Sequence, residues 1–161
     1  MKNKKKIFSI IFIILLICID QICKIVVLNK ENIVINNIFS LEVCTNTGMA
    51  FGFNSGNAKN IVISVFIIIL VISFMKKQAE LIDTKTNISL CLILGGALGN
   101  LVDRFIRGGV IDFIKIGNFP IFNLADVFIV VGWILIVIFL IVFSGKNRGE
   151  TVEEQNENIR N

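Results

Sequence analysis

Six side chains with chemistry to offer sit in or beside sequence that is otherwise apolar: Asp20, Asn100, Asp103, Asp112, Asn123 and Asp126. Asp112 is the least expected. It lies within Val110-Ile111-Asp112-Phe113-Ile114, a stretch in which desolvating a carboxylate is costly. The chain contains no histidine, which removes Ser-His and Cys-His catalysis, His-ligated zinc and HExxH metallopeptidases. Neither a phosphate loop nor a dinucleotide fingerprint is present. Ser40 and Ser55 lie in polar loop sequence with no lysine buried beside them, so a serine–lysine pair is unsupported. What remains is carboxylate chemistry. Two aspartates sharing one proton can have one act as base on water while the other polarises a scissile carbonyl. Asp112 and Asp126 suit it, because their connection is long enough to fold back onto a helix start.

Each of these groups also has a plain structural reading. Asp20 and Lys24 are four apart on one helical face and can neutralise each other. Gly95-Gly96-Ala97-Leu98-Gly99 contains a Gly-x-x-x-Gly spacing, a helix-packing face. Asp103-Arg104 can form an interfacial ion pair. Asn123-Leu124-Ala125-Asp126 reads as a helix start, with Asn123 at N-cap and Asp126 near N3 at the positive end of the dipole.

The elements that must position these groups are membrane helices. Mean hydropathy of +0.81 and 55% hydrophobic residues exceed what a soluble core of this length needs. The apolar residues are blocked at 7–19 and 25–28, 61–75, 88–102 and 124–143, without the polar faces of a soluble bundle. A span needs about 20 residues. The expected fold is an all-α integral membrane protein, one domain over 1–161, with four transmembrane helices at roughly 7–28, 58–75, 87–104 and 122–143. The termini are expected to carry no fold of their own, residues 1–6 as a charged lead and 144–161 as a disordered tail, and 76–87 is a short charged loop. Leu16-Ile17-Cys18 offers no small-residue cleavage site, so the first span is expected to stay as an anchor. The cysteines imply no disulfide framework.

Segments 29–57 and 105–121 connect the spans on one side. Phe39-Ser40-Leu41-Glu42-Val43-Cys44 alternates apolar with polar, and Ile33-Val34-Ile35 is a second strand candidate. A small sheet between helices 1 and 2, resting on the membrane surface, is expected. Gly48, Gly52, Gly56, Gly108, Gly109 and Gly117 mark turns.

The net charge of +4 follows topology rather than nucleic-acid binding. Lys2, Lys4, Lys5, Lys6, Lys76, Lys77, Lys85, Lys146, Arg148 and Arg160 fall on one side. Lys30, Lys59, Arg104, Arg107 and Lys115 fall on the other. By the positive-inside rule both termini are cytoplasmic. The carboxylates then converge on one layer near the outer leaflet, where charge in a helix is costly and marks a site.

At these residues the sequence resembles the lipoprotein signal peptidase (signal peptidase II) family. The features appear in order over 20–132: Asp20-Gln21 with Lys24, Asn46-Thr47-Gly48-Met49-Ala50-Phe51, and Gly95-Gly96-Ala97-Leu98-Gly99-Asn100-Leu101-Val102-Asp103-Arg104. Val110-Ile111-Asp112-Phe113 and Phe119-Pro120-Ile121-Phe122-Asn123-Leu124-Ala125-Asp126 follow. The resemblance implies an aspartic endopeptidase that removes the signal peptide from prolipoproteins, cleaving before a diacylglyceryl-modified cysteine, without metal or cofactor. It implies that Asp112 and Asp126 are the catalytic pair. Asp20, Lys24, Asn46, Gly48, Asn100, Asp103, Arg104 and Asn123 would line or support the site. The implied setting is the bacterial cytoplasmic (inner) membrane, multi-pass, with the site at the outer leaflet. The implied partners are prolipoprotein signal peptides and membrane lipids, with no nucleic acid, and the protein works as a monomer. Met49 and Val127 depart from the family pattern, where smaller residues are usual.

Two rival readings come from other classes. A proton- or ion-coupled transporter predicts acidic residues through the bilayer thickness, whereas here they cluster at one end. A scaffold using the glycine face of the third span leaves the carboxylates unexplained.

Overall fold

The computed structural model describes residues 2–30, 33–36, 38–48, 57–77, 83–139 and 141. Met49 and the tail 144–161 lie outside them. Among the described residues, four helices and three strands run in the order α1 (Lys2–Leu28), β1 (Ile33–Val34), β2 (Phe39–Asn46), α2 (Asn57–Lys77), α3 (Thr84–Ile106), β3 (Val110–Ile116) and α4 (Leu124–Phe139).

Three of these helices, α1, α2 and α3, are long and apolar enough to cross a membrane. Their surroundings differ. Over its most apolar window α3 is 56% buried, whereas α1 and α2 are 17% and 11% buried. The exposed faces of α1 and α2 carry Ile7, Ile11, Ile22, Val62, Phe66 and Ile69, each more than half exposed. In water such a surface would cost about 25 cal/mol per Å²; against lipid tails it costs nothing comparable. α3 is therefore the axis of the protein, and the outward faces of α1 and α2 are lipid-facing.

The helix ends follow local chemistry. The Asp83 carboxylate caps α3 by accepting from Thr86 N at 2.9 Å, so that helix starts inside the segment expected to be loop. Lys76 and Lys77 occupy the last turn of α2, where a cation complements the dipole. α1 begins at Lys2, so the lysine lead is helical rather than unstructured. A run of exposed lysines loses little rotamer freedom in a helix, and the apolar sequence that follows supplies the nucleus.

Glycines set the closeness of α3 to its neighbours. A Cβ on Gly96 would lie 2.3 Å from the Ala125 carbonyl oxygen, and one on Gly95 would lie 2.8 Å from Leu16 Cδ1. On Gly99 it would lie 2.9 Å from Asp20 Oδ2. The packing expected of this stretch is thus present and faces two helices. Gly96→Ala is expected to push α4 away from α3 and destabilise the fold by more than Gly108→Ala does, because the clash is with backbone. Gly108→Ala meets open space and only the strain of its φ of 75°, about 1–2 kcal/mol. Thermal unfolding of both variants checks this; equal behaviour would show that the α3–α4 contact is not set by Gly96.

The sheet is antiparallel, in the order β1-β2-β3. The expectation of a sheet built between helices 1 and 2 is corrected here: its third strand comes from the connection after α3. β3 is buried on both faces from Val110 to Phe113, and such a strand carries no alternation to read. β2 has one extra residue between Leu41 and Cys44. Glu42, at that bulge, accepts from Ser40 Oγ at 2.8 Å and from Lys115 Nζ at 2.9 and 3.0 Å. Past the bulge Cys44 pairs with Asp112 and Asn46 with Val110, so Asn46 and Asp112 share a face. After β3 the chain turns at Gly117, with φ of 52°, and returns at Phe122, which bridges Ile114. That bridge delivers Asn123 and the first turn of α4 to Asp112.

Candidate active site

Asp112 is 4% exposed on β3. Its Oδ1 accepts from Asn123 Nδ2 at 2.7 Å and its Oδ2 from Asn46 Nδ2 at 3.0 Å. The orientation of each amide is fixed from its other end. Asn46 Oδ1 accepts from Gly48 N at 3.0 Å, and Asn123 Oδ1 accepts from Asp126 N at 2.9 Å. Both amides therefore present N–H groups to Asp112. Burial pushes the Asp112 carboxyl up to about 6, and the Asp126 charge adds to this while the Asn46 and Asn123 donors and Lys24 oppose it.

Asp126 stands half-buried in the first turn of α4. Its Oδ2 accepts from Asn123 N at 3.3 Å, so the Asn123 cap expected from the sequence is reciprocated as a capping box. Its Oδ1 accepts from Asn100 Nδ2 at 2.7 Å. Asn100 Oδ1 in turn accepts from Asn123 Nδ2 at 3.0 Å and Lys24 Nζ at 3.1 Å. Lysine only donates, so Lys24 fixes the Asn100 amide with its N–H groups toward Asp126. The two aspartates are thereby joined by one relay of amides whose polarity is set at both ends.

Beneath the relay lies a buried ion cluster. Lys24 Nζ is 2.7 Å from both Asp20 Oδ2 and Asp103 Oδ2, and all three side chains are 0% exposed. The Asp20–Lys24 pair anticipated from their spacing is present, and Asp103 shares its ammonium. Asp103 is also paired with Arg107, four residues on. Arg104 is half-buried at the edge of the site and donates to Asn100 O at 3.4 Å.

All ten residues singled out by sequence are brought together: Asp20, Lys24, Asn46, Asn100, Asp103, Asp112, Asn123 and Asp126 in direct contacts, Gly48 through Asn46, and Arg104 at the rim. Three others join them. Gln21 Nε2 donates to Asp20 Oδ2 and Asp103 Oδ1 at 3.2 and 3.0 Å. Arg107 Nη1 donates to Gln21 Oε1 at 2.8 Å. Asn60, 1% exposed in the first turn of α2, donates from Nδ2 to Thr47 O at 3.1 Å and ties the Asn46–Gly48 turn to that helix. Arg107 had a readable signal, its i,i+4 spacing from Asp103; Asn60 had only its place at the start of an apolar block.

Two carboxylates bridged by amides can serve acid–base chemistry. Comparison with known proteins identifies the family. The family model described as signal peptidase (SPase) II matches residues 12–142. The lipoprotein signal peptidase of Clostridioides difficile is 38% identical over 86% of this chain and 98% of its own length. That of Pseudomonas syringae pv. tomato is 37% identical over 88% of each. Among solved structures, a bacterial membrane enzyme determined by the in meso method at 2.3 Å superposes with a TM-score of 0.78 at 31% identity, covering 86% of this chain and 90% of that one. A match over this much of the chain, running through every element that builds the amide relay, places the protein in the signal peptidase II family.

Proposed function

We propose that the chain is an aspartic endopeptidase that releases signal peptides from prolipoproteins at the outer face of a bacterial cytoplasmic membrane. The observation that carries the reading is the amide relay linking Asp112 to Asp126, two carboxylates from separate elements held toward one another in a half-buried polar layer. In the reaction the ionised member takes a proton from water as the water attacks the scissile carbonyl carbon. The protonated member gives its proton to the carbonyl oxygen, forming a neutral diol. As the diol collapses, the aspartate that took the water's proton gives it to the departing amine, the C–N bond breaks, and a diol hydroxyl returns its proton to the other aspartate, so the pair again holds one proton. Asp126, with a helix N-terminus behind it, is the base. Asp112, more deeply buried, holds the proton.

Four spans, with α4 completing the set, and both termini cytoplasmic follow from the division of basic residues. The site then opens at the outer interface, where the scissile bond of a lipid-anchored helix lies. Diacylglyceryl chains on the substrate cysteine remain in the bilayer while the peptide enters the polar layer, and one copy of the chain suffices. A transporter would need titratable groups along a path; the carboxylates here form one closed network with their counter-ions.

The test is substrate discrimination. Diacylated and unmodified forms of one prolipoprotein, incubated with the purified protein, are expected to differ in kcat/KM by roughly a hundredfold or more, since acyl chains anchored in lipid position the bond. Equal rates would reduce the protein to a general membrane protease.

A further inference from the structure

Each aspartate of the proposed dyad follows a residue whose backbone N–H ends on a buried carboxylate. Ile111 N donates to Asp103 Oδ2 at 3.1 Å, and Ala125 N donates to Asp20 Oδ1 at 3.0 Å. Asp103 and Asp20 thus grip the two backbone segments that carry Asp112 and Asp126, and Lys24 ties the grips together. One ammonium cannot balance two carboxylates, and burying the excess charge would cost several kcal/mol.

The second positive charge comes from Arg107. Its guanidinium, 20% exposed, pairs with Asp103 Oδ1 and donates to Gln21 Oε1 at 2.8 Å. Gln21 then donates to both carboxylates and to Gly99 O. The Arg107 backbone N–H also closes α3 on Asp103 O at 2.7 Å. Both side-chain contacts leave one nitrogen, Nη1, so a single cationic donor bridges the carboxylate and the amide.

We propose that Arg107 is a positioning residue for the dyad: it completes the charge balance of the Asp20–Lys24–Asp103 cluster, keeps both Asp103 oxygens paired, and so holds Ile111 and Asp112 opposite Asp126. The inference rests on the reading of Asp112 and Asp126 as the catalytic pair. The charged groups that face Asp112 are Asp126 from α4, Lys24 from α1 and Arg104 from α3, and the Asp103–Arg107 pair meets β3 at Ile111 N. Removing Arg107 leaves a net negative charge there, which disfavours an ionised dyad and moves both limbs of its pH profile upward.

The experiment compares wild type, R107Q, R107K and D112N, as full chains in detergent or lipid, on a diacylated prolipoprotein. R107Q is expected to lower kcat roughly tenfold to a hundredfold, to leave KM unchanged and to shift both pH limbs upward. R107K is expected to recover the limb positions and most of kcat. An R107Q enzyme with wild-type kcat and unshifted limbs, beside an inactive D112N, overturns the inference while the dyad stands. So does a loss that is uniform across pH and is not recovered by R107K. An active D112N removes the dyad and the inference together. Should R107Q fail to fold, R107K decides alone: limbs at their wild-type positions with most of kcat kept support the role, because the charge is kept, and shifted limbs or a kcat as low as that expected of R107Q overturn it.

Discussion

Asp112→Asn and Asp126→Asn are each expected to abolish cleavage of a diacylated prolipoprotein while leaving the protein folded in the membrane. Asparagine keeps the size of each side chain but cannot take up or release the proton the reaction needs. The pH profile of the wild type carries the finer statement. The Asp112 carboxyl is raised to about 6, first by burial and then by the Asp126 charge. The pair titrates as a unit, so the proton shared by the two aspartates is lost as pH rises through the upper of two apparent values. kcat/KM is therefore expected to be bell-shaped, with an alkaline limb at or above about 6, well beyond an ordinary carboxylate. The same shift has a sign in stability. A carboxyl raised in the folded state favours folding fully below its unfolded value, near 4, and this contribution is lost as pH rises through about 6. D112N is expected to remove that pH dependence between about 4 and 6. Substantial activity in either asparagine variant would take that residue out of the dyad. A rate that stays flat far above both limbs would show that no protonated aspartate is required.

Much of this site could be read from sequence because its members are costly where they stand. Asp112 inside an apolar run and Asp20 inside an apolar helix each call for partners. The Asn123 cap was legible for a different reason, since capping is local chemistry over four residues. Harder to read was the sheet. β2 alternates apolar with polar in sequence, although along it only Ser40 is buried, whereas β3 is buried from Val110 to Phe113 and packs against α1 and α3, so its residues look like any buried run. The pairing of β2 with β3 is also long-range, and nothing in either segment names its partner. Arg107 shows the limit from the other side. Counted by charge it is one more basic residue of an outer segment; its work depends on Gln21, which only the packing of α1 against α3 brings within reach. The lysine lead was misread because polar sequence at a terminus resembles disorder, whereas here it is the first turns of α1.

Lys24→Met is expected to be the most damaging single change to stability. Lys24 is 0% exposed and gives its ammonium to Asp20, Asp103 and Asn100 Oδ1, one donor for each. Methionine fits the space but leaves two buried carboxylates facing each other with Arg107 as their cation. Removing one partner of a buried charge cluster costs about 3–5 kcal/mol, a large share of the roughly 5–15 kcal/mol by which domains are stable. Thermal unfolding in detergent is expected to show this as a fall far larger than that of any lipid-facing substitution on α1, such as Ile11→Ala. Asp20→Asn in the K24M background restores the balance, since Asp103 and Arg107 then pair one to one, and an asparagine carbonyl can still accept from Ala125 N. The double variant is therefore expected to be more stable than K24M alone, a coupling that a double-mutant cycle measures directly. Its activity is expected to stay low, because Asn100 has lost the donor that aims its N–H groups at Asp126. If the two substitutions were simply additive in stability, charge balance would not be what Lys24 supplies. If the double variant recovered full activity, the polarity of the amide relay would not depend on Lys24.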